Sequence, residues 1–218
     1  MLSVHIVKKL TNFTLDVKFE VNNEIVALFG PSGSGKTTIL NAIAGLTKLT
    51  DGTIKLKDRL FVKHGKSLIP VQKRNVGYVF QSYALFPHMT IWENIKYGMK
   101  DEKMTKQLIE QLGIEHILHE YPQKVSGGER QRTAMIRALA TKPEILLLDE
   151  PFSALDEQTK NISIEQVKTV HRSWKIPIIF VSHNRKEVKS LTDTILYIRE
   201  GKILEEECKL EVNEHHNG

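Results

Sequence analysis

The eight residues Gly30-Pro31-Ser32-Gly33-Ser34-Gly35-Lys36-Thr37 constrain this chain more than any other stretch. They fit the pattern G-x-x-x-x-G-K-[ST], a loop that cradles phosphate. A polyphosphate taken out of water must exchange its hydration for donors. Glycines let successive backbone N–H groups converge on phosphate oxygens, because no Cβ blocks the approach or the positive-φ turns. Lys36 would reach the β- and γ-phosphates, and the Thr37 hydroxyl would sit on Mg2+. Such a loop needs a strand before it and a helix after it. Glu24-Ile-Val-Ala-Leu-Phe29 reads as a buried strand, and Thr38-Ile-Leu-Asn-Ala-Ile-Ala-Gly45 is apolar at helical spacing and closed by a glycine. The candidate nucleotide-binding residues are therefore Gly30, Pro31, Ser32, Gly33, Ser34, Gly35, Lys36, Thr37 and Thr38.

The remaining chain fits around that unit. Its 218 residues suit one large domain or a domain with a sizeable insertion. The net charge of +5 is moderate, and no Lys/Arg block is long enough to favour nucleic acid. The single cysteine, Cys208, cannot form an internal disulfide, which suits a reducing cytosol. Apolar runs such as Ile176-Pro-Ile-Ile-Phe-Val181 are far too short to span a bilayer, and the N-terminus, broken by Lys8 and Lys9, has no signal-peptide core. The expectation is a soluble intracellular protein that reaches a membrane only through a partner.

Residues 2–29 alternate polar and apolar, as in Ser3-Val-His-Ile-Val7 and Phe13-Thr-Leu-Asp-Val-Lys-Phe19, which predicts antiparallel strands with one wet face. Residues 52–62 predict a further strand pair, and Asn75-Val-Gly-Tyr-Val-Phe80 a short buried strand ending at Gln81. From about 84 to 142 the pattern turns helical, with helices over Thr90–Met99, over Asp101–Leu112 and after Ser126. Buried strands return at Ile145–Leu148, Ile176–Val181 and Thr194–Ile198, separated by helical patterns at 157–173 and 185–191. Strands alternating with helices imply a parallel α/β sheet with the helical block inserted. The tail Glu214-His-His-Asn-Gly218 is polar, reads as frayed, and is too short a cue for a metal site.

Two other stretches carry chemistry. Ile145-Leu-Leu-Leu-Asp149-Glu150 delivers two adjacent acids to the carboxyl end of a buried strand, where α/β sheets bind ligands. A solvated strand end would explain them if they stood alone. Beside a phosphate loop, a divalent cation explains them better: Asp149 would hold Mg2+ and Glu150 would orient or activate a water. Ser126-Gly-Gly-Glu129 opens the long helix, and Ser126 with Glu129 matches a capping box. The box leaves Gly127 and Gly128 unexplained; glycines at a helix N-terminus make a second anion site. Two phosphate-binding helix starts, with one lysine and one set of Mg2+ ligands, point to a second copy placed head to tail.

The order of these pieces resembles an ABC transporter ATPase subunit: the phosphate loop, Gln81, Ser126-Gly127-Gly128-Glu129, Asp149-Glu150, Ser153-Ala-Leu-Asp156 and His183. The resemblance covers nearly the whole chain. It implies a P-loop NTPase core of α/β class, with an N-terminal antiparallel β subdomain and an inserted α-helical subdomain at about 84–142, within a single domain spanning 1–218. It implies ATP and Mg2+, with Thr37, Gln81 and Asp149 at the metal. Glu150 would act as general base, with Gln81 at the attacking water and His183 at the γ-phosphate. Ser126, Gly127, Gly128 and Glu129 would close over the other copy's nucleotide, and Asp156 would join the two copies. Where many members of the family stack adenine on an aromatic residue, this chain offers Leu10, with His5 and Phe13 as alternatives. Asn184 stands where an Asp is usual and receives no role.

Tyr83-Ala-Leu-Phe-Pro-His-Met-Thr-Ile-Trp-Glu-Asn-Ile95 resembles importer ATPases, in which this region meets a membrane subunit, although Phe86, Trp92 and Ile95 also fit a helical core. The compact N-terminal hairpin and Asn75-Val-Gly-Tyr-Val-Phe-Gln81 are similar to ATPases of molybdate importers, with sulfate, iron or polyamine as other solutes. The resemblance implies a homodimer at the cytoplasmic face of the membrane, bound to permease subunits, served indirectly by a solute-binding protein, with no nucleic acid partner. It also implies that the regulatory C-terminal domain of many such subunits is absent. A soluble ABC ATPase of translation or repair is the competing class; it would carry paired cassettes or long coiled-coil insertions.

Overall fold

The computed structural model describes residues 1–192 and 194–207, with the side chains of 205–207 left aside. Cys208 and Glu214–Gly218 lie outside the described residues.

Two sheets and six helices form the described chain. β1 (Leu2–Lys9), β2 (Thr14–Val21), β4 (Asp51–Leu56), β5 (Arg59–Lys63) and β6 (Lys66–Ser67) make an antiparallel sheet in the order β2-β1-β4-β5-β6. Strict alternation of buried and exposed residues along β2 gives that sheet one wet face. β3 (Ile25–Phe29), β7 (Val76–Val79), β8 (Ile145–Asp149), β9 (Ile178–Ser182), β10 (Thr194–Arg199) and β11 (Lys202–Glu207) make the second sheet, in the order β11-β10-β3-β9-β8-β7. Its strands run parallel except β11, which returns antiparallel along β10. β8 and β9 are buried at every position, as strands covered on both faces must be.

One face of the parallel sheet packs on α1 (Lys36–Ala44) and the antiparallel sheet, burying Leu28, Ile39, Leu147 and Val181 with Val4, Ile6 and Leu56. The other face packs on helices, burying Ala27, Leu148 and Phe180 with Ile95, Leu139, Val167 and Val188. α2 (Ile91–Lys96), α3 (Glu102–Leu112) and α4 (Gly127–Ala140) lie between β7 and β8, while α5 (Glu157–Trp174) and α6 (Arg185–Leu191) alternate with the later strands. α2 is shorter than the sequence pattern indicates, ending at Lys96 with Tyr97 as its cap; Gly98 beyond it is a poor helix residue.

Arg74 ties the antiparallel sheet to the far end of α1. Only 1% exposed, it donates from Nη1 to the carbonyls of Ala42 (3.1 Å) and Ile43 (2.9 Å), the last turn of α1. Nε donates to Ile69 O and Nη2 to Ser67 Oγ, both at 3.0 Å, and the guanidinium stands 5.1 Å from the centre of the Phe61 ring. A cation at the helix C-terminus satisfies carbonyls that have no partner within the helix. Arg74→Met keeps the bulk but removes a donor from each of these acceptors, of which Ala42 O keeps Gly45 N at 3.1 Å, and should cost about 2 kcal/mol in chemical denaturation. Arg74→Lys should recover only part, since an ammonium cannot fork across four oxygens. A loss below about 0.5 kcal/mol for Arg74→Met would contradict this role.

Candidate functional site

β3 runs into the glycine-rich loop and the loop into α1, so the loop emerges at the carboxyl edge of the parallel sheet. Gly35 occupies the N-cap of α1 at φ +105°, a conformation that side-chain-bearing residues rarely hold. Gly30 is required sterically: a Cβ there would lie 2.0 Å from Ile198 O. Lys36 arches back over its own loop, with Nζ donating to Gly30 O (2.8 Å) and Pro31 O (2.7 Å). Burial lowers its pKa, while the charges of Glu150 and Asp149 act in the opposite direction. The buried Ser34 hydroxyl in the same loop has no partner among the described residues, which is the state of a donor set built for an anion.

The acids stand opposite that loop. Asp149 ends β8, 6% exposed, with Oδ1 accepting from the Thr37 hydroxyl (3.0 Å) and Oδ2 from the Tyr78 hydroxyl (3.4 Å). Burial raises its pKa, the Glu150 charge adds to the rise, and the Thr37 bond works against it. Burial and the Asp149 charge likewise raise Tyr78 well above the usual phenol range, so its hydroxyl keeps its proton. Glu150 follows in a left-handed turn at φ +45°, with its amide donating to Val181 O (3.2 Å). Its carboxylate accepts from Gln81 Nε2 at 3.0 Å on Oε2 and lies 3.3 Å from His183 Nδ1 on Oε1. Gln81 and His183 follow β7 and β9 on either side of β8, so three neighbouring strand ends meet at one carboxylate.

Leu10, Ser32, Gly33, Gly35, Lys36, Thr37, Thr38, Gln81 and Glu150 line a cleft of about 350 Å³. Larger hollows lie elsewhere, one of about 410 Å³ between Trp92, Ile109 and Leu118, but they hold no phosphate-binding loop. Of the candidate base contacts, Leu10 lines the cleft. His5 instead faces Asp16 at 3.6 Å, and the Phe13 ring lies against Gly201 and beside Gly35 of the loop without lining the cleft. The donor chemistry fits Mg2+: a hydroxyl and a carboxylate oxygen 3.0 Å apart, with the Gln81 amide nearby, are hard ligands. No group of three or more His, Cys, Asp or Glu able to hold a metal exists among the described residues.

Ser126, Gly127, Gly128 and Glu129 are not among the residues lining this cleft. They open α4, where Glu129 N donates to Ser126 Oγ (3.3 Å) and Ser126 N to Glu129 Oε2 (2.8 Å), a complete capping box. His116 Nε2 adds a contact to Glu129 Oε1 at 3.0 Å. Burial pushes the Glu129 carboxyl up, but the bonds from Ser126 and His116 together hold it below its ordinary value. Gly128 also has a packing reason that the sequence did not reveal: a Cβ there would lie 2.5 Å from Thr159 Cγ2 on α5. Asp156 caps α5, its Oδ1 accepting from Thr159 N at 2.9 Å, so the two glycines and the Asp156 turn pack as one unit.

Sequence reasoning missed the groups behind these residues. Lys160 Nζ lies 2.9 Å from Glu187 Oε1, and Ser182 Oγ donates to Glu187 Oε2 at 2.7 Å. Ser182 Oγ in turn accepts from Asn184 N (2.9 Å), and the Asn184 side chain caps α6 through Lys186 N. This chain of contacts runs from α5, just past Asp156, to both residues that flank His183. The bond to Glu187 raises the Lys160 pKa. Only the proximity of Glu187 to His183 in sequence hints at it; the partner Lys160 is visible only in three dimensions.

Residues 12–153 match the ABC transporter domain family. The chain is 39% identical to the molybdate/tungstate import ATP-binding protein of Archaeoglobus fulgidus, over 94% of this chain and 85% of that one. It is 42% identical to the molybdenum import ATP-binding protein of Haemophilus ducreyi, over 94% of this chain but only 59% of that longer protein. Among solved structures, a dimeric ATP-binding cassette in a post-hydrolysis state with ADP and Pi superposes with a TM-score of 0.80 at 26% identity, covering 95% of this chain and 98% of that one.

Glu187→Ala removes the acid shared by Lys160 and Ser182, leaving Lys160 only Glu157 at 4.0 Å, and should cost about 2 kcal/mol in denaturant. Lys160→Met/Glu187→Gln, which removes the charges together, should cost less than Glu187→Ala alone. Equal losses would contradict a paired role.

Proposed function

The chain belongs to the ABC transporter family of ATP-binding proteins, and from that premise we propose that it is the energy-coupling subunit of an importer for molybdate or tungstate. Two copies close head to tail over two ATP molecules, hydrolyse them, and drive the permease subunits to which they bind at the cytoplasmic face of the membrane. A solute-binding protein acts indirectly through the permease. No helix among the described residues is long and apolar enough to cross a membrane, in keeping with a peripheral subunit. The observation that carries the catalytic part is the convergence of Gln81 and His183 on Glu150, across the cleft from Lys36.

Phosphates entering the loop meet the amides from Gly33 to Thr38, and Lys36 exchanges its two loop carbonyls for phosphate oxygens. Thr37 and Asp149, with Gln81 beside them, would hold Mg2+, which when bound would supply charge neutralisation for the phosphates. Gln81 and His183 fix the Glu150 carboxylate, which orients water for in-line attack on the γ-phosphorus and accepts its proton as the bond to ADP breaks. Ser126, Gly127, Gly128 and Glu129 lie outside this cleft, which supports their serving the partner's nucleotide instead. Asp156 moves with them because its helix packs on Gly128. Leu10 offers the base an apolar ledge in place of an aromatic ring.

Glu150→Gln should retain MgATP, accumulate as a dimer in size-exclusion chromatography, and hydrolyse at least about a hundredfold more slowly. Near-normal turnover would remove Glu150 from the mechanism. Lys36→Ala should lose ATP affinity in titration calorimetry; unchanged affinity would contradict the loop assignment. With the membrane complex isolated, molybdate or tungstate on its binding protein should stimulate ATP turnover. Stimulation by sulfate, iron or a polyamine instead would overturn the solute, and co-purification with ribosomes or DNA would overturn the transport role.

A further inference from the structure

β7 is the edge of the parallel sheet, and its side chains divide between the two faces. Val79 packs into the helical core, whereas Val76 and Tyr78 pack on the α1 side. β8 divides in the same way, Leu148 toward the helices and Leu147 toward α1. Continuing that alternation one residue past Leu148 places Asp149 on the α1 side, the side of Tyr78. The Tyr78 ring is stacked on Phe80, centroids 4.2 Å apart and planes 26° off parallel. Its hydroxyl lies 3.2 Å from Asn41 Oδ1 on α1 and 3.4 Å from Asp149 Oδ2.

Among the described residues only Thr37 and Tyr78 donate side-chain hydrogen bonds to Asp149, one to each oxygen. Thr37 is itself a metal donor in the proposed function. Ligating a cation would use a lone pair of the Thr37 oxygen and leave its proton on Oδ1, so Tyr78 is the side-chain donor that fixes the other carboxylate oxygen. We propose that Tyr78 is a positioning residue for the metal: with its ring held by Phe80 and its single hydroxyl proton shared between Asn41 Oδ1 and Asp149 Oδ2, it sets the carboxylate so that Oδ1 would face a cation beside Thr37. This rests on the MgATP reading of the cleft. Outer hydrogen bonds to a metal-ligating carboxylate orient it and tune its basicity, and their loss typically weakens metal binding by about 10- to 100-fold.

Tyr78→Phe deletes one oxygen and keeps the ring on Phe80, so the fold should survive. Mn2+ binding, followed by electron paramagnetic resonance on the full-length protein with a non-hydrolysable ATP analogue, should weaken about tenfold. Affinity for the same analogue in EDTA should stay unchanged, because the phosphate loop is untouched. In ATP turnover the half-saturating Mg2+ concentration should rise, with kcat largely recovered at high Mg2+. Metal affinity equal to wild type would overturn the proposal, as would equal losses with metal and in EDTA, which would mark general damage to the site. If the wild-type protein itself bound the analogue no better with Mn2+ than in EDTA, the MgATP reading would fail, and the proposal with it.

Discussion

Asp149 and Glu150 are adjacent carboxylates at the end of a strand buried along its whole length, and the site is arranged around them. Burial opposes the ionised form of Asp149, and the Glu150 charge adds to that opposition. Compensation comes from every side: Thr37 and Tyr78 on Asp149, Gln81 and His183 at Glu150, and the Lys36 cation across the cleft. Bringing these groups together requires the carboxyl ends of β7, β8 and β9 side by side, with the loop after β3 facing them. The parallel sheet supplies that arrangement, and its two covered faces let the strands be almost wholly apolar up to the last residue.

The same economy governs the start of α4. Its capping box is satisfied within the chain, so Ser126 and Glu129 are structurally complete without a nucleotide. Gly128 answers to Thr159, and Asp156 to the first turn of α5. The unit is closed by contacts within the chain and set apart from the chain's own cleft. In the proposed function it acts on another copy's nucleotide, and a helix start already capped would lower the ordering cost of closing over it.

Much of the fold was legible in local pattern. Alternation in β2, the unbroken apolar runs of β8 and β9, and the Ser126 box each encode their own structure over a few residues. Gln81, Glu150 and His183 were legible as strand-end polar residues, and the structure brings them within hydrogen-bond reach. What escaped depends on contacts across long stretches of sequence. β4 pairs with β1 rather than forming a sheet of its own, β11 folds back antiparallel, and Arg74 reaches the end of α1. Tyr78 read simply as a strand residue, because its hydroxyl matters only once α1 and β8 lie beside it. Lys160 and Glu187 carry no local signal of pairing, and only the packing of α5 on α6 brings them together.

The central claim is that one chain holds half of two sites. ATP turnover per chain, measured over a dilution series, tests it most directly. The account predicts that specific activity falls steeply as dimers dissociate and approaches a plateau at high concentration. Turnover per chain that stays constant down to concentrations where sedimentation shows only monomer would contradict it.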